Sequence, residues 1–206
     1  MLDEAILSLV TPENAAIHAT ALDTKDIDAL IPRLDSSEDK IRYPAFLLLR
    51  ARSAITSDVY PFWDMLGEKL TSENSYQRSI GAMLLAENAR HDTAGRMQDS
   101  LPQFLRLLSN IKPITVRQTA QALPEILHAK PELADAIGLA LMAVDLLRYK
   151  DTMRKLILVD FLEALLLVRE IHPTPDLEEY FFSVLNGSIL DEKAKKQFRS
   201  KLSLPK

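Results

Sequence analysis

Four histidines, one tryptophan and five glycines are the residues of this 206-residue chain that most readily build a reactive or ligand-binding centre. His18, His91, His128 and His172 are scattered, with neither H-x3-H nor H-E-x-x-H spacing. A zinc site needs three or four converging ligands, so no metal is expected. Cysteine is absent, which removes disulfides, thiolate nucleophiles and cysteine metal sites and suits a reducing cytoplasm. Gly67, Gly81, Gly95, Gly138 and Gly187 are dispersed, whereas a phosphate-cradling loop needs several glycines together. No G-x-S-x-G occurs. The expectation is a protein without cofactor and without catalysis.

One stretch could still do chemistry. "YPFWDM" (60–65) places the only tryptophan, Trp63, beside Asp64. An aromatic ring can stack on a nucleobase, and a neighbouring carboxylate can stabilise a developing cation. The competing reading, which we prefer, is that Tyr60, Phe62 and Trp63 pack between helices. "EEYFFSVL" (178–185) is the other aromatic cluster. Helical spacing sets Tyr180 with Val184 and Phe181 with Leu185, again a packing pattern. Its alternative is an exposed patch that stacks on a partner or a second copy.

The elements that would position these residues are helical. Hydrophobic residues make up 47% of the chain, glycines are few, and the segments between prolines are rich in helix formers. No alternating β-branched runs suggest strands. The most apolar stretch, "LILVDFLEALLLV" (156–168), is short for a membrane span and is broken by Asp160 and Glu163, so a buried helix is expected. The acidic start "MLDEAILSLV" lacks the basic residues of a secretory signal. Net charge is -4, unevenly spread. Residues 1–40 hold nine acids and three bases, residues 186–206 six bases and two acids. Such a chain lacks the general positive field of nucleic-acid binders. Its basic terminal segment reads first as a solvated helix face.

Self-similarity organises the chain. "LDSSEDKIR" (34–42) returns 36 residues later as "LTSENSYQR" (70–78). With Arg42 as marker, "KIRYPAFLLLR", "YQRSIGAMLLA", "TVRQTAQALPEIL" and "TMRKLILVDFLEAL" align on Arg42, Arg78, Arg117 and Arg154. Three residues on stand Ala45, Gly81, Ala120 and Ile157; six on stand Leu48, Leu84, Leu123 and the exception, Asp160. Those spacings share a helix face, and a small residue there lets another helix approach closely. An earlier helix precedes each marker, carrying Pro32, Pro61 or Pro102, or starting at Pro131. Thr11, Asp23, Thr24, Ser57, Ser72 and Thr174 are candidate helix caps.

A proline-bearing first helix, a polar turn, and a second helix with apolar-Arg, a small residue and leucines resemble the HEAT-repeat family. "DSLPQFLRLL…KPITVRQTAQALPEIL" (99–127) is the best match, then "LIPRLDSSEDKIRYPAFLLL" (30–49). Gln77 replaces the usual apolar residue in the second unit, and the fourth lacks both small residue and leucine. The resemblance covers roughly 24–171 and implies a right-handed α-solenoid of stacked antiparallel hairpins. The expected layout is one domain over 1–206. It has an N-terminal cap to residue 22, hairpins 24–53, 57–91, 97–129 and 131–171, and a C-terminal cap over 174–203. The family pattern implies that the marker arginines order the turns between helices.

Families of this kind bind a protein or peptide along the concave groove of their second helices, which makes a non-catalytic scaffold the expected function. Polar positions off the apolar stripe are the candidate contacts: Tyr43, Arg50 and Arg52; Ser79, Glu87 and Arg90; Gln118, Gln121 and Glu125; Lys155 and Glu163. Their mixed signs point to a polar protein surface. The alternative is nucleic-acid binding, since some bacterial DNA alkylation repair glycosylases are similar HEAT-like solenoids. That resemblance asks for aromatics and a carboxylate on a strongly basic concave face. This chain departs from it, with one tryptophan, an acidic balance and no dense Lys/Arg stripe. Self-association between the acidic N-terminal cap and the basic last helix is a third reading.

Overall fold

A computed structural model of the chain describes residues 7–202. The first six residues of "MLDEAILSLV", part of both expected caps, and Lys206 of the basic segment lie outside the described residues. Among those described, the chain is all-α, with eleven α-helices, seven short 3-10 segments and no strand. No helix among them is long and apolar enough to cross a membrane.

Contacts divide the chain into two compact units, Met1–Gln103 and Phe104–Lys206. The first holds α1 (Ala15–Thr20), α2 (Thr24–Leu30), α3 (Asp39–Ser53), α4 (Trp63–Glu68), α5 (Ser75–Asn88) and most of α6 (Arg96–Arg106). Helix α3 packs on α1 and on α5, and α5 packs on α4. Ile27, Leu30, Leu34, Leu48, Leu49, Leu66, Leu84 and Leu85 are fully buried there. The second unit holds the end of α6, then α7 (Pro113–Ala129), α8 (Ala134–Met142), α9 (Asp151–Ile171), α10 (Pro175–Asn186) and α11 (Glu192–Lys201). Helix α9 packs on α7 and α8, and α10 on α8 and α11. Phe104, Phe161, Phe181 and Phe198 anchor its core.

The sequence echo is a local structural echo. Ile31–Asp35, Lys69–Thr71 and Leu107–Ser109 are 3-10 turns that close the helices before the first three marker helices, α3, α5 and α7. Ser36, Ser72 and Asn110 then turn the backbone extended, with ψ of 136°, 142° and 147°. Pro32 and Pro61 sit in the first positions of 3-10 turns, where a missing N–H costs little. Pro102 lies inside α6, and Pro44 and Pro124 lie inside the second helices α3 and α7, which continue through them. Asp23 caps α2 by accepting from the Asp26 amide, Asp26 returning the favour, and Thr174 caps α10. The other expected caps are displaced. Asn14, not Thr11, stands at the start of α1, Thr24 is already the first residue of α2, Val59 and Phe62, not Ser57, precede the Tyr60–Phe62 turn and α4, and Asn74, not Ser72, caps α5. The Ser36 and Ser72 hydroxyls instead accept from Glu38 and Asn74 amides, bracing the turns two residues before the cap positions.

Candidate functional site

The marker arginines divide into two kinds. Arg42, nearly buried, donates to the carbonyls of Ser36 (2.8 Å) and Ser37 (3.5 Å) and pairs with Asp39. Its guanidinium also lies 4.8 Å from the centre of the Tyr76 ring. Arg78 repeats the arrangement on Ser72 (2.6 Å) and Glu73 (2.9 Å). Arg154 does likewise, donating to Tyr149 (2.8 Å) and Leu147 (2.9 Å). Arg117 differs. It leaves its own turn and binds Asp160 on α9 at 2.5 Å, with Gln121 donating to the same carboxylate at 2.9 Å. The turn ahead of α7 is held from elsewhere: the Tyr149 hydroxyl donates to the Asn110 carbonyl at 2.8 Å.

Within the first unit, the C-terminal ends of α3 and α5 are clasped by polar groups. Glu87 is 6% exposed and accepts from Arg50 Nε at 2.9 Å and from Arg90 at 3.2 Å. Arg90 also donates to the Ala54 carbonyl (3.3 Å). Asn88, fully buried, donates to the Ser53 hydroxyl (2.9 Å), and His91 Nε2 meets the Ser53 carbonyl (2.7 Å). A carboxylate with little access to water needs such partners, since its desolvation is otherwise costly. The two arginines keep their outer faces in solvent. Tyr43 lies two turns before Arg50 on the same face of α3, is 45% exposed, and has its ring stacked near Phe46 at 6.4 Å.

The expected contact positions thus separate. Tyr43 and Arg50 share one face of α3, and Arg90 joins Arg50 on Glu87. Ser79 is buried, and so is Glu87 itself; the α5 backbone turns both toward neighbouring helices, which leaves no face for a partner. Arg52 is committed to structure: it binds Asp58 (2.8 Å) and the carbonyls of Ala19 (3.1 Å) and Thr20 (3.4 Å), tying α1 to the end of α3. In the second unit Gln118 and Glu125 are half-buried on α7, while Gln121 is exposed beside Asp160. Lys155 pairs with Asp191, and Glu163 with Lys201 (2.5 Å), so two ion pairs tether α11 to α9. Lys155, first, and the Ala194 amide hold the Asp191 carboxyl below the usual carboxylate range.

Trp63 does not present a stacking platform. It is 2% exposed, its indole N–H donates to the Ser100 hydroxyl (3.0 Å), and its ring meets Tyr60 edge-on at 5.5 Å. Asp64 is taken by Arg96 in an ion pair. Burial, followed by the hydrogen bond to Asp92, pushes the Tyr60 phenol above its ordinary value. Asp92 itself was not singled out by sequence reading. It accepts from the amides of Ala94, Arg96 and Met97 as well as from Tyr60, while Gly95 takes a φ of 77° that glycine tolerates best. The available signal was an aspartate three residues before a lone glycine and a new helix. Among the described residues no three His, Asp or Glu side chains converge as a metal site. In the second cluster Phe181 and Leu185 are core, whereas Phe182 is 69% exposed. Burial pushes the Tyr180 phenol up to about 12.

In comparisons with known proteins, no family model matches the chain and no curated protein is significantly similar to it.

Proposed function

We propose that the hairpins of each unit are HEAT-like repeats and that the chain is a non-catalytic scaffold that binds a partner protein through its second helices. The observation that carries the reading is the stripe on α3, with Tyr43 45% exposed and Arg50 with 42% of its side chain exposed, the latter braced by Glu87 of α5, which Arg90 of the following 3-10 turn also binds. Tyrosine and arginine are the residue types that most often dominate binding energy at protein interfaces. Here both are held in place before any partner arrives, Tyr43 by Phe46 and Arg50 by Glu87, which lowers the ordering cost of association. Arg50 spends only its Nε donor, and its remaining nitrogens are left for an acidic or carbonyl group of a partner. The equivalent turn arginines and the 3-10 turns before α3, α5 and α7 support the repeat reading.

The test is affinity capture from native lysate with the tagged chain, with and without nuclease, alongside a Tyr43→Ala/Arg50→Ala variant whose helicity is checked by circular dichroism. The expected result is a dominant nuclease-resistant protein that the folded double variant fails to retain. Equal recovery by both forms rejects this surface. Recovery that collapses with nuclease transfers the function to nucleic-acid binding.

A further inference from the structure

The second unit contains a cleft that the second-helix reading does not use. It opens between α8, the end of α9 and the start of α10, with a volume of about 170 Å³. Its origin is legible in the chain. Gly138 lets α8 lie close on α9, so close that an added Cβ would stand 3.0 Å from Val168 Cγ1. Helix α9 then ends at His172 with φ -144° and ψ 87°, and the turn to Thr174 runs between two prolines that forbid further helix. The stiff turn stands off the short α8, which stops at Met142, and leaves a socket whose floor is Val168, Met142 and Leu177.

Size selects the occupant. Small-molecule sites are typically about 300–1,000 Å³, whereas an apolar cavity of about 150 Å³ takes a single benzene. The cleft therefore fits one side chain of leucine or phenylalanine size. Leu139 at its lip is 61% exposed, an apolar surface that an inserted chain would cover. The rim is acidic. Asp135 pairs with His172, and the carboxylate of Asp176 stands exposed with no hydrogen bond or ion pair to the described residues. The cation of the same stretch, Arg169, is already bound to Glu178.

We propose that this cleft is a docking socket for a peptide segment that presents one bulky apolar side chain next to a lysine or arginine. The apolar group fills the socket over Met142 and Val168, and the cation meets Asp176. The site is separate from the α3 stripe, so its failure leaves the scaffold reading standing and the reverse also holds.

The test is an NMR titration of the full chain carrying methyl-labelled methionine, Met142 being assigned by Met142→Leu. The probes are millimolar N-acetyl-Leu-Lys-amide, N-acetyl-Leu-Glu-amide and N-acetyl-Gly-Lys-amide. The Met142 methyl should shift and saturate with Leu-Lys, with affinity roughly two- to fivefold above that for Leu-Glu, as exposed charge pairs allow. Gly-Lys should leave Met142 unmoved. Asp176→Asn should abolish the preference for lysine without moving the methionine spectrum of the free protein, and Leu139→Ser should weaken both leucine peptides. An unmoved Met142, equal binding of Leu-Lys and Leu-Glu, or an equal response to Gly-Lys overturns the proposal.

Discussion

Gly81 offers the sharpest test of how closely the helices of the first unit are packed. A Cβ at this position would lie 2.7 Å from the Leu66 carbonyl oxygen and 2.8 Å from Lys69 Cβ. Neither neighbour can step aside alone. Leu66 O is backbone, and Lys69 is nearly buried, its ammonium binding Asp35 and Gln77 Oε1 (2.8 Å) while Gln77 donates to the Leu34 carbonyl (2.6 Å). Admitting a methyl group at Gly81 must therefore push the end of α4 outward and strain that chain of polar contacts. Overpacking typically costs about 1–3 kcal/mol, and a two-sided clash with backbone belongs near the top of that range. Exchanging glycine for alanine in a helix returns about 1 kcal/mol. Gly81→Ala should thus lose roughly 2 kcal/mol, or roughly 4–8 °C in Tm for a chain of this size. Gly67→Ala is the control: it lies in α4 with nothing within 4 Å of the added Cβ. There only the helix term acts, and stability should rise by about 0.5–1 kcal/mol. Urea titration followed by the fluorescence of Trp63, the single tryptophan and a buried member of the same unit, reads both variants directly. A Gly81→Ala protein as stable as the parent would show that α5 does not touch α4 so closely, and the packing argument for the small residue after Arg42, Arg78 and Arg117 would fall with it.

Arg42→Ala should cost about 2–4 kcal/mol, because it strands turn carbonyls that a buried guanidinium now satisfies; a urea midpoint within error of the parent would reject the turn-ordering role. Arg117→Ala and Asp160→Ala should each destabilise the second unit by about 1–3 kcal/mol, discounted for the partial exposure of Arg117, and the double variant should lose less than the sum. A double-mutant cycle with no coupling would count against the pair. Tyr180 should be among the last phenols to ionise, near pH 12, in an ultraviolet titration. Because burial raises its folded value, its contribution to stability is complete below the ordinary tyrosine range and fades as pH rises through about 12. For Asp191 the sign is opposite. Its folded value is lowered, so its contribution is present above the ordinary carboxylate range and disappears as pH falls, and Lys155→Met should move its NMR titration midpoint upward.

The helical class, the short-helix, turn, long-helix rhythm and the buried leucines of α3, α5 and α7 were legible because each rests on local spacing. Leu48, Leu84 and Leu123, aligned by counting from the markers, are all fully buried. The cap residues were less legible, because Ser and Asn compete for neighbouring amides over one or two residues. At Ser72 and Asn74 the side chains each brace a different donor, which spacing alone cannot rank. The candidate site was readable in composition but not in exposure. Ser79 and Glu87 are as polar in sequence as Tyr43 and Arg50, yet their helix turns them inward.

The departures from the repeat carry the most information, and they explain one another. Asp160 takes the position that leucine holds in the earlier marker helices, and an aspartate side chain left 10% exposed there requires a cation. Arg117 is the marker arginine that does not order its own turn, and its guanidinium supplies that cation. The turn it vacates has its C-terminal carbonyl, at Asn110, one residue further from the marker than Ser36 and Ser72 are from theirs, and Tyr149 from the following connection takes that acceptor. Three changes that look independent along the chain, a lost leucine, a lengthened turn and a tyrosine before the last marker, therefore form one substitution of polar contacts for apolar ones. Periodicity could mark each as an exception. Only the packing of α9 on α7 shows that the arginine freed by one exception neutralises the charge created by another.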